Sequence, residues 1–444
     1  MWTSHHVRLL VMLSVFGIAV PMAGAQTLNA PRPERPYRGL FGGGVNDAEQ
    51  SLTASASAGG GYDTDIVRGS GARTQISGTG GRMVSGGYGV GSAALAYSLS
   101  KSRISIGASG NLATRYYPDA RDQFVTSRIV GGRLAVRPFE NTQLYVGETV
   151  SFQPYNLLDL FPALYDAYGA RPTTSYEDFA VSGAYYTRYA TSAGASQGFR
   201  LGRRSTLDFT YTFAKTEARE LSRDYITQRA GATLRHNLTK GLTAYAGYSY
   251  THFDYPSSST ATLREGHSIN AGVDFDKALS LTRRTTLTAA AGTSSYVSGP
   301  RTFYRLNGNA QLSHEMGRSW STSMGYSRNM TFIEVFNDPV FYDALTATLS
   351  GLPTRRLEFS LVGRVADGRI GVVSANRYRT YMATASLTTS FTRNLALSGA
   401  YFFNQYEFDP GTPLPSGVSN DRRRHGVRVT LSVWAPLLNR ARKP

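Results

Sequence analysis

The 444-residue chain contains no cysteine, and charged residues make up only 17% of it, below the roughly 25% of an ordinary soluble domain. Without thiols there is no disulfide scaffold, no thiolate-zinc site, no cysteine nucleophile and no lipid anchor on an N-terminal cysteine. Histidine is scarce as well. Beyond residue 25, His236, His252, His267, His314 and His425 stand on separate segments, with no His-x-x-x-His or His-Glu-x-x-His spacing for a metal. No Gly-x-Ser-x-Gly elbow occurs. Gly87-Tyr88-Gly89-Val90-Gly91 opens a strand rather than a helix, so its amides would not converge on a phosphate. The sequence therefore leads us to expect no cofactor, no metal site and no enzyme.

Long apolar runs are missing too. Residues 1–25 carry a short polar start with Arg8, an apolar run from Leu9 to Val20, and Ala23-Gly24-Ala25. This is the layout of a secretory signal peptide cut after Ala25. The run is too short for a spanning helix, which needs about 20 residues. Further on no stretch of 18 apolar residues occurs, so any crossing of a membrane would have to be by strands. Residues 26–49, with Pro31, Pro33, Pro36 and Gly42 to Gly44, read as a periplasmic lead-in.

From about residue 50 to 437 apolar and polar residues alternate in runs of roughly 12 to 16, longer than the 5–6 residues of a common soluble strand. Leu207, Phe209, Tyr211 and Phe213 share one face, with Thr206, Asp208, Thr210 and Thr212 on the other. Ile269 to Phe275, Tyr304 to Leu312 and Val427 to Val433 repeat the pattern. Runs that are apolar on one face and hydroxylated on the other suit a tilted crossing of hydrocarbon around a polar interior.

The connections alternate as well. One set is short and basic and leads into an apolar residue, as in Lys101-Ser102-Arg103-Ile104, Thr239-Lys240-Gly241-Leu242, Thr354-Arg355-Arg356-Leu357 and Thr392-Arg393-Asn394-Leu395. Such turns centre near 102, 141, 204, 240, 284, 318, 355 and 393. The other set is longer, near 64–82, 155–176, 255–262, 333–339, 368–376 and 409–424. Eight short turns joining nine hairpins predict an all-β fold, a transmembrane antiparallel up-and-down β-barrel of about 18 strands, with 16 as the lower alternative. A basic tail would cover 438–444. The register is open between 86 and 154: Arg128 and Arg133 cannot both face the lumen without a bulge, and Glu148 falls in phase with Leu144, Val146 and Val150. Aromatic residues near run ends, such as Tyr116-Tyr117, Tyr185-Tyr186 and Tyr401 to Phe403, read as girdles at the headgroup level.

A barrel of this size encloses an aqueous channel. In the lumen phase stand Arg188, Arg229, Arg235, Arg264, Arg305, Arg364, Arg379 and Arg428, against Asp208, Asp274, Asp276 and Glu358. That balance favours an anionic solute or polymer, although arginines and their carboxylate pairs can equally stiffen the wall. The loop at 155–176, with Leu157, Leu160, Phe161 and Tyr165, is the longest and most apolar. It is expected to fold into the pore as a constriction, the alternative being an external cap. Lysine and arginine exceed aspartate and glutamate by 17, but much of that excess is spread over the short turns. It suits lipid headgroups or a periplasmic partner better than nucleic acid.

With its signal peptide, absence of cysteine, some 18 Tyr-rich strands, turns of the Thr/Arg-Arg-x-Leu kind and final strand Val427 to Val433, the chain resembles the outer-membrane β-barrel porins that accompany exopolysaccharide gene clusters in Gram-negative bacteria. The resemblance implies an outer-membrane channel for a secreted polysaccharide, working with a separate periplasmic export component. Such barrels typically end on an aromatic residue, whereas here Trp434 is followed by Ala435-Pro436 and further residues to Pro444. A general diffusion porin for small, preferentially anionic solutes stays open as the alternative. So do a barrel-scaffold enzyme or adhesin, and the oligomeric state.

Overall fold

In the computed structural model the alternating runs are β-strands. The structure describes residues 48–441 apart from 68–82, 121–122, 158–179, 220–222, 240, 255–262, 276–284, 299–300, 318, 332–339, 372–375, 413 and 415–418. The signal segment and most of the lead-in lie outside the described residues. In chain order the strands are β1 (Ala48–Val67), β2 (Met83–Ser100), β3 (Ile104–Tyr117), β4 (Gln123–Val136), β5 (Thr142–Asn156) and β6 (Ala180–Arg200). Then come β7 (Ser205–Ala218), β8 (Arg223–Thr239), β9 (Leu242–Asp254), β10 (Leu263–Phe275), β11 (Thr285–Ser298) and β12 (Arg301–Met316). The last six are β13 (Trp320–Thr331), β14 (Val340–Thr354), β15 (Leu357–Ile370), β16 (Arg377–Ser390), β17 (Leu395–Phe408) and β18 (Asp421–Ala441).

Every strand pairs antiparallel with its sequence neighbours, and β18 pairs with β1 from Asp63–Gly426 to Ala48–Ala441. The sheet is thereby closed at 18 strands, with no edge strand left on either side. β18 runs past 438, so the segment read as a tail is paired strand as far as Ala441, with Arg440 opposite Gln50. Its register slips by one residue between Pro436 and Leu438, a bulge that accommodates a proline unable to donate to the ladder.

Seven of the eight short turns separate the strands where the sequence places them, and the eighth, near 284, falls in the β10–β11 connection at 276–284, outside the described residues. Three share one local device. The Thr239, Thr354 and Thr392 hydroxyls accept a hydrogen bond from the backbone N–H two residues on, at Gly241, Arg356 and Asn394. This ST-turn explains why threonine opens these connections. At the opposite rim, the six longer connections are joined by three short ones the sequence did not single out, after β3, β7 and β11.

Inside–outside alternation follows the exposed apolar side chains. Leu95, Leu112, Val130, Val146, Ile269, Leu306, Leu345, Val429 and Leu431 are each 40% or more exposed on the outer phase. A belt of this kind around a whole barrel far exceeds the apolar patch of a soluble protein, so the wall faces hydrocarbon. Among the described residues no helix is long and apolar enough to cross a membrane. The open stretch resolves without a bulge between β3, β4 and β5. Arg133 faces inward over the Tyr145 ring at 4.8 Å, while Arg128, opposite Phe152, and Glu148 face outward.

Neighbouring aromatics divide between the two faces, as alternation demands. Tyr116 and Tyr185 contribute to an outer belt through Phe124 (4.8 Å) and Phe152 (4.9 Å). Tyr117 and Tyr186 point in and are buried. The girdle reading therefore holds for one member of each pair. Glycine and tyrosine (46 and 28 residues) are linked at several places in the wall. Tyr145, Tyr245, Tyr378 and Trp320 each lie directly across the ladder from a glycine, at 194, 272, 368 and 351. A Cβ there would fall 2.2–2.6 Å from the ring. The ring lies flat over the bare backbone and covers it, which offsets the cost of glycine in a strand.

Candidate channel interior

Inward-facing charge gathers first at the seam that closes the barrel. On β1, Asp63 and Asp65 are 0% and 3% exposed. The Arg424 guanidinium donates to Asp63 from Nε at 3.0 Å and also from Nη2, and Arg115 of β3 approaches the same carboxylate at 3.9 Å. Arg422 donates to Asp65 at 2.5 Å. Residues 63, 65, 422 and 424 sit two apart because only every second residue of a strand points inward.

Around the rest of the wall, Arg188, Arg229, Arg235, Arg305, Arg364, Arg428, Asp208 and Glu358 occupy inward phases. Asp208 pairs with Arg235 at 3.5 Å. Arg229 donates to the Ser249 hydroxyl at 2.8 Å and Arg364 to that of Thr346 at 2.9 Å, while Arg305 lies over the Phe341 ring at 5.4 Å. Arg379 is a correction. It shares its phase with exposed Leu387 and meets Asp367 at 3.7 Å on the outer surface. The alternation of β16 places Tyr378, Thr380 and Met382, all buried, on the inner face instead. Arg264 and Asp274 fall in β10, but their side chains, and the whole of Asp276, lie outside the described residues. The sequence leaves Arg133 open against Arg128 and does not single out Arg115, Arg422, Arg424, Asp63 or Asp65. Extending the phase of Arg428 by two and three steps would have found Arg424 and Arg422. β1 runs to Val67, past the start of the connection expected at 64–82, so Asp65 falls in the strand rather than the loop.

The lumen narrows at the loop-side end. One hydrophobic cluster joins Tyr155, Leu157, Tyr186 and Ala218 of the β5–β7 arc to Val340, Tyr342, Ile370, Tyr378, Tyr406 and Phe408 of the β14–β17 arc. These arcs lie on opposite sides of the ring. Leu157, just past β5, is 1% exposed within it; Leu160, Phe161 and Tyr165 lie outside the described residues. The β13–β14 hairpin contributes from a second direction. The β12–β13 ladder stops at Gly308–Arg328, although β13 stays paired to β14 as far as Thr331–Val340. Beyond that point Met330 and Phe341 join Tyr296 and Phe303, inward-facing on β11 and β12, in packing around Phe253 of β9, and the Phe341 ring meets that of Tyr296 at 5.5 Å. Met330 also lines a pocket of about 420 Å³ with Arg188, Thr216, Tyr225 and Thr227.

The wall, the apolar belt and the charged lumen together define the molecule. It is a closed 18-stranded membrane barrel. No protein-family model matches the chain, and no curated protein matches it significantly. Solved structures with a distant likeness include OpdQ of Pseudomonas aeruginosa, 11% identical over 88% of this chain and 98% of that one, with a TM-score of 0.44. OpdO of the same organism is 14% identical over 88% and 99%, with a TM-score of 0.42. The siderophore receptor PirA from P. aeruginosa is 10% identical over 87% and 80%, with a TM-score of 0.40. Likenesses this remote add nothing to the barrel visible in the chain itself.

Proposed function

We propose that the protein is an outer-membrane diffusion channel for small anionic solutes. The observation that carries this is the sign of the lumen. Away from the rims, ten arginines with described side chains (115, 133, 188, 229, 235, 305, 364, 422, 424 and 428) face inward against four carboxylates, Asp63, Asp65, Asp208 and Glu358. Three of those four carboxylates already pair with arginine. In a narrow pore with low-dielectric walls such an excess concentrates anions and repels cations.

Polysaccharide passage is the less favoured reading. A polymer needs a lumen open along its length, and here apolar side chains from opposite arcs meet at the loop-side end. Small solutes need only a gap beside such a constriction, as at the pocket next to Arg188. The test is the reversal potential of single channels in planar bilayers under a potassium chloride gradient. Chloride should carry more current than potassium, and Arg229→Glu with Arg305→Glu should move the reversal potential toward cation preference. A cation-selective wild-type channel would overturn the proposal. So would normal small-solute uptake with loss of surface polysaccharide in a deletion strain.

A further inference from the structure

Glu148 places a carboxylate on the hydrocarbon-facing side of β5, in phase with exposed Val146 and Phe152. At about 2.6 Å of depth per residue of tilted strand, it lies about 15 Å from the turn-side end at Thr142 and about 10 Å below the aromatic belt at Phe152. A glutamate side chain is too short to reach water over either distance. Among the described residues Glu148 has no hydrogen bond or ion pair, and lipid tails offer no donor.

Its direct partner across the ladder is Thr191 of β6, which faces outward in phase with Phe199 and Tyr185. At the same tilt, direct ladder partners differ in depth by only about 3 Å. Nearer the turn-side rim, the same two strands present another outward polar pair, and there Thr142 donates to Gln197 within the chain. At Glu148 and Thr191 that internal solution is absent. The residues beside Glu148 are small, with Gly132 opposite it on β4 and Ala193 next in phase to Thr191 on β6, while on the far side Thr191 is paired with Lys215 of β7, whose amine is taken up by Glu217.

We propose that the outer face of β5 and β6 is a two-fold interface with a second copy of this chain, in which the Thr191 hydroxyl of each copy donates to the Glu148 carboxylate of the other. Oligomers in a membrane rotate about an axis along its normal, so residues meet partners at their own depth. A two-fold interface brings residue i to j and j to i. An acceptor and a donor on adjacent strands, within about 3 Å of one depth and so within reach of their side chains, satisfy both conditions. The small neighbours let two strand faces approach closely enough for the bond to form.

The cysteine-free chain makes the test direct. The full-length protein carrying Ala193→Cys is assembled in native outer membranes and treated with a short-arm bismaleimide, with Leu361→Cys on the outer face of β15 as control. Ala193→Cys should give a cross-linked homodimer by mass, several-fold above the control. Adding Glu148→Leu should cut the dimer fraction several-fold, whereas Glu148→Gln, which keeps an acceptor, should retain most of it. Heat-shift on gels establishes that each variant is folded. Cross-linking no greater than at Leu361→Cys, a product containing a different protein, or a dimer indifferent to Glu148→Leu would each overturn the proposal.

Discussion

Replacing Asp63 by alanine removes the carboxylate that holds the first strand to the last. Asp63 is fully buried, and the guanidiniums of Arg424 and Arg115, 5% and 1% exposed, converge on it. Without it two cations remain in a site that water scarcely reaches. Breaking a buried pair of this kind costs about 3–5 kcal/mol, equivalent to roughly two to four orders of magnitude in the folding equilibrium. The comparison is Asp367→Ala on the outer surface, where Asp367, Arg377 and Arg379 are all 41–53% exposed. Solvent screening leaves such a pair about 1 kcal/mol or less. Urea titration of both variants refolded into lipid vesicles, followed by tryptophan fluorescence, measures the difference. The double variant Asp63→Leu with Arg424→Met should recover part of the loss, because one of the stranded charges is gone. If Asp63→Ala and Asp367→Ala fall within about 1 kcal/mol of one another, the seam pairs do not hold the barrel closed and the reasoning fails.

Two further predictions follow from the packing. Gly368→Ala puts a Cβ 2.2 Å from the ring of Tyr378, itself 1% exposed, so overpacking should lower stability by about 1–3 kcal/mol in the same urea assay; Gly399→Ala, where a Cβ meets nothing within 4 Å, should be near neutral. Trimming Met330 and Phe341 together to alanine should raise single-channel conductance in planar bilayers, because these side chains lead the β13–β14 hairpin into the lumen; an unchanged conductance would place the narrowest point elsewhere.

Much of this was legible in the order of residues. Strand period, turn positions and the phase of Arg188, Arg229, Arg235, Arg305, Arg364 and Arg428 come from alternation, a local property set by the geometry of extended backbone. Arg379 was misplaced because β16 is polar and aromatic on both faces near its loop-side end, where Arg377, Tyr378, Arg379, Thr380 and Tyr381 follow one another. A period-2 count gives no sign there, and the pairing of Val365 with Tyr381 and Asp367 with Arg379 supplies it. The stretch from 86 to 154 was ambiguous for a related reason. Glycine and serine dilute the pattern, and the two residues that broke it, Arg128 and Glu148, do face outward.

By itself, then, the sequence determined the closed antiparallel sheet, its eight turn-side connections and the excess of arginine in its interior, because each depends on neighbours along the chain and on a repeat of two. The tertiary structure decided what joins across the ring. Asp63 meets Arg424 over 361 positions of chain, Leu157 shares a cluster with Phe408, and Met330 leaves the wall to line a pocket with Arg188. Such contacts depend on closure, which fixes which arcs of the barrel face each other, and no local period encodes that distance.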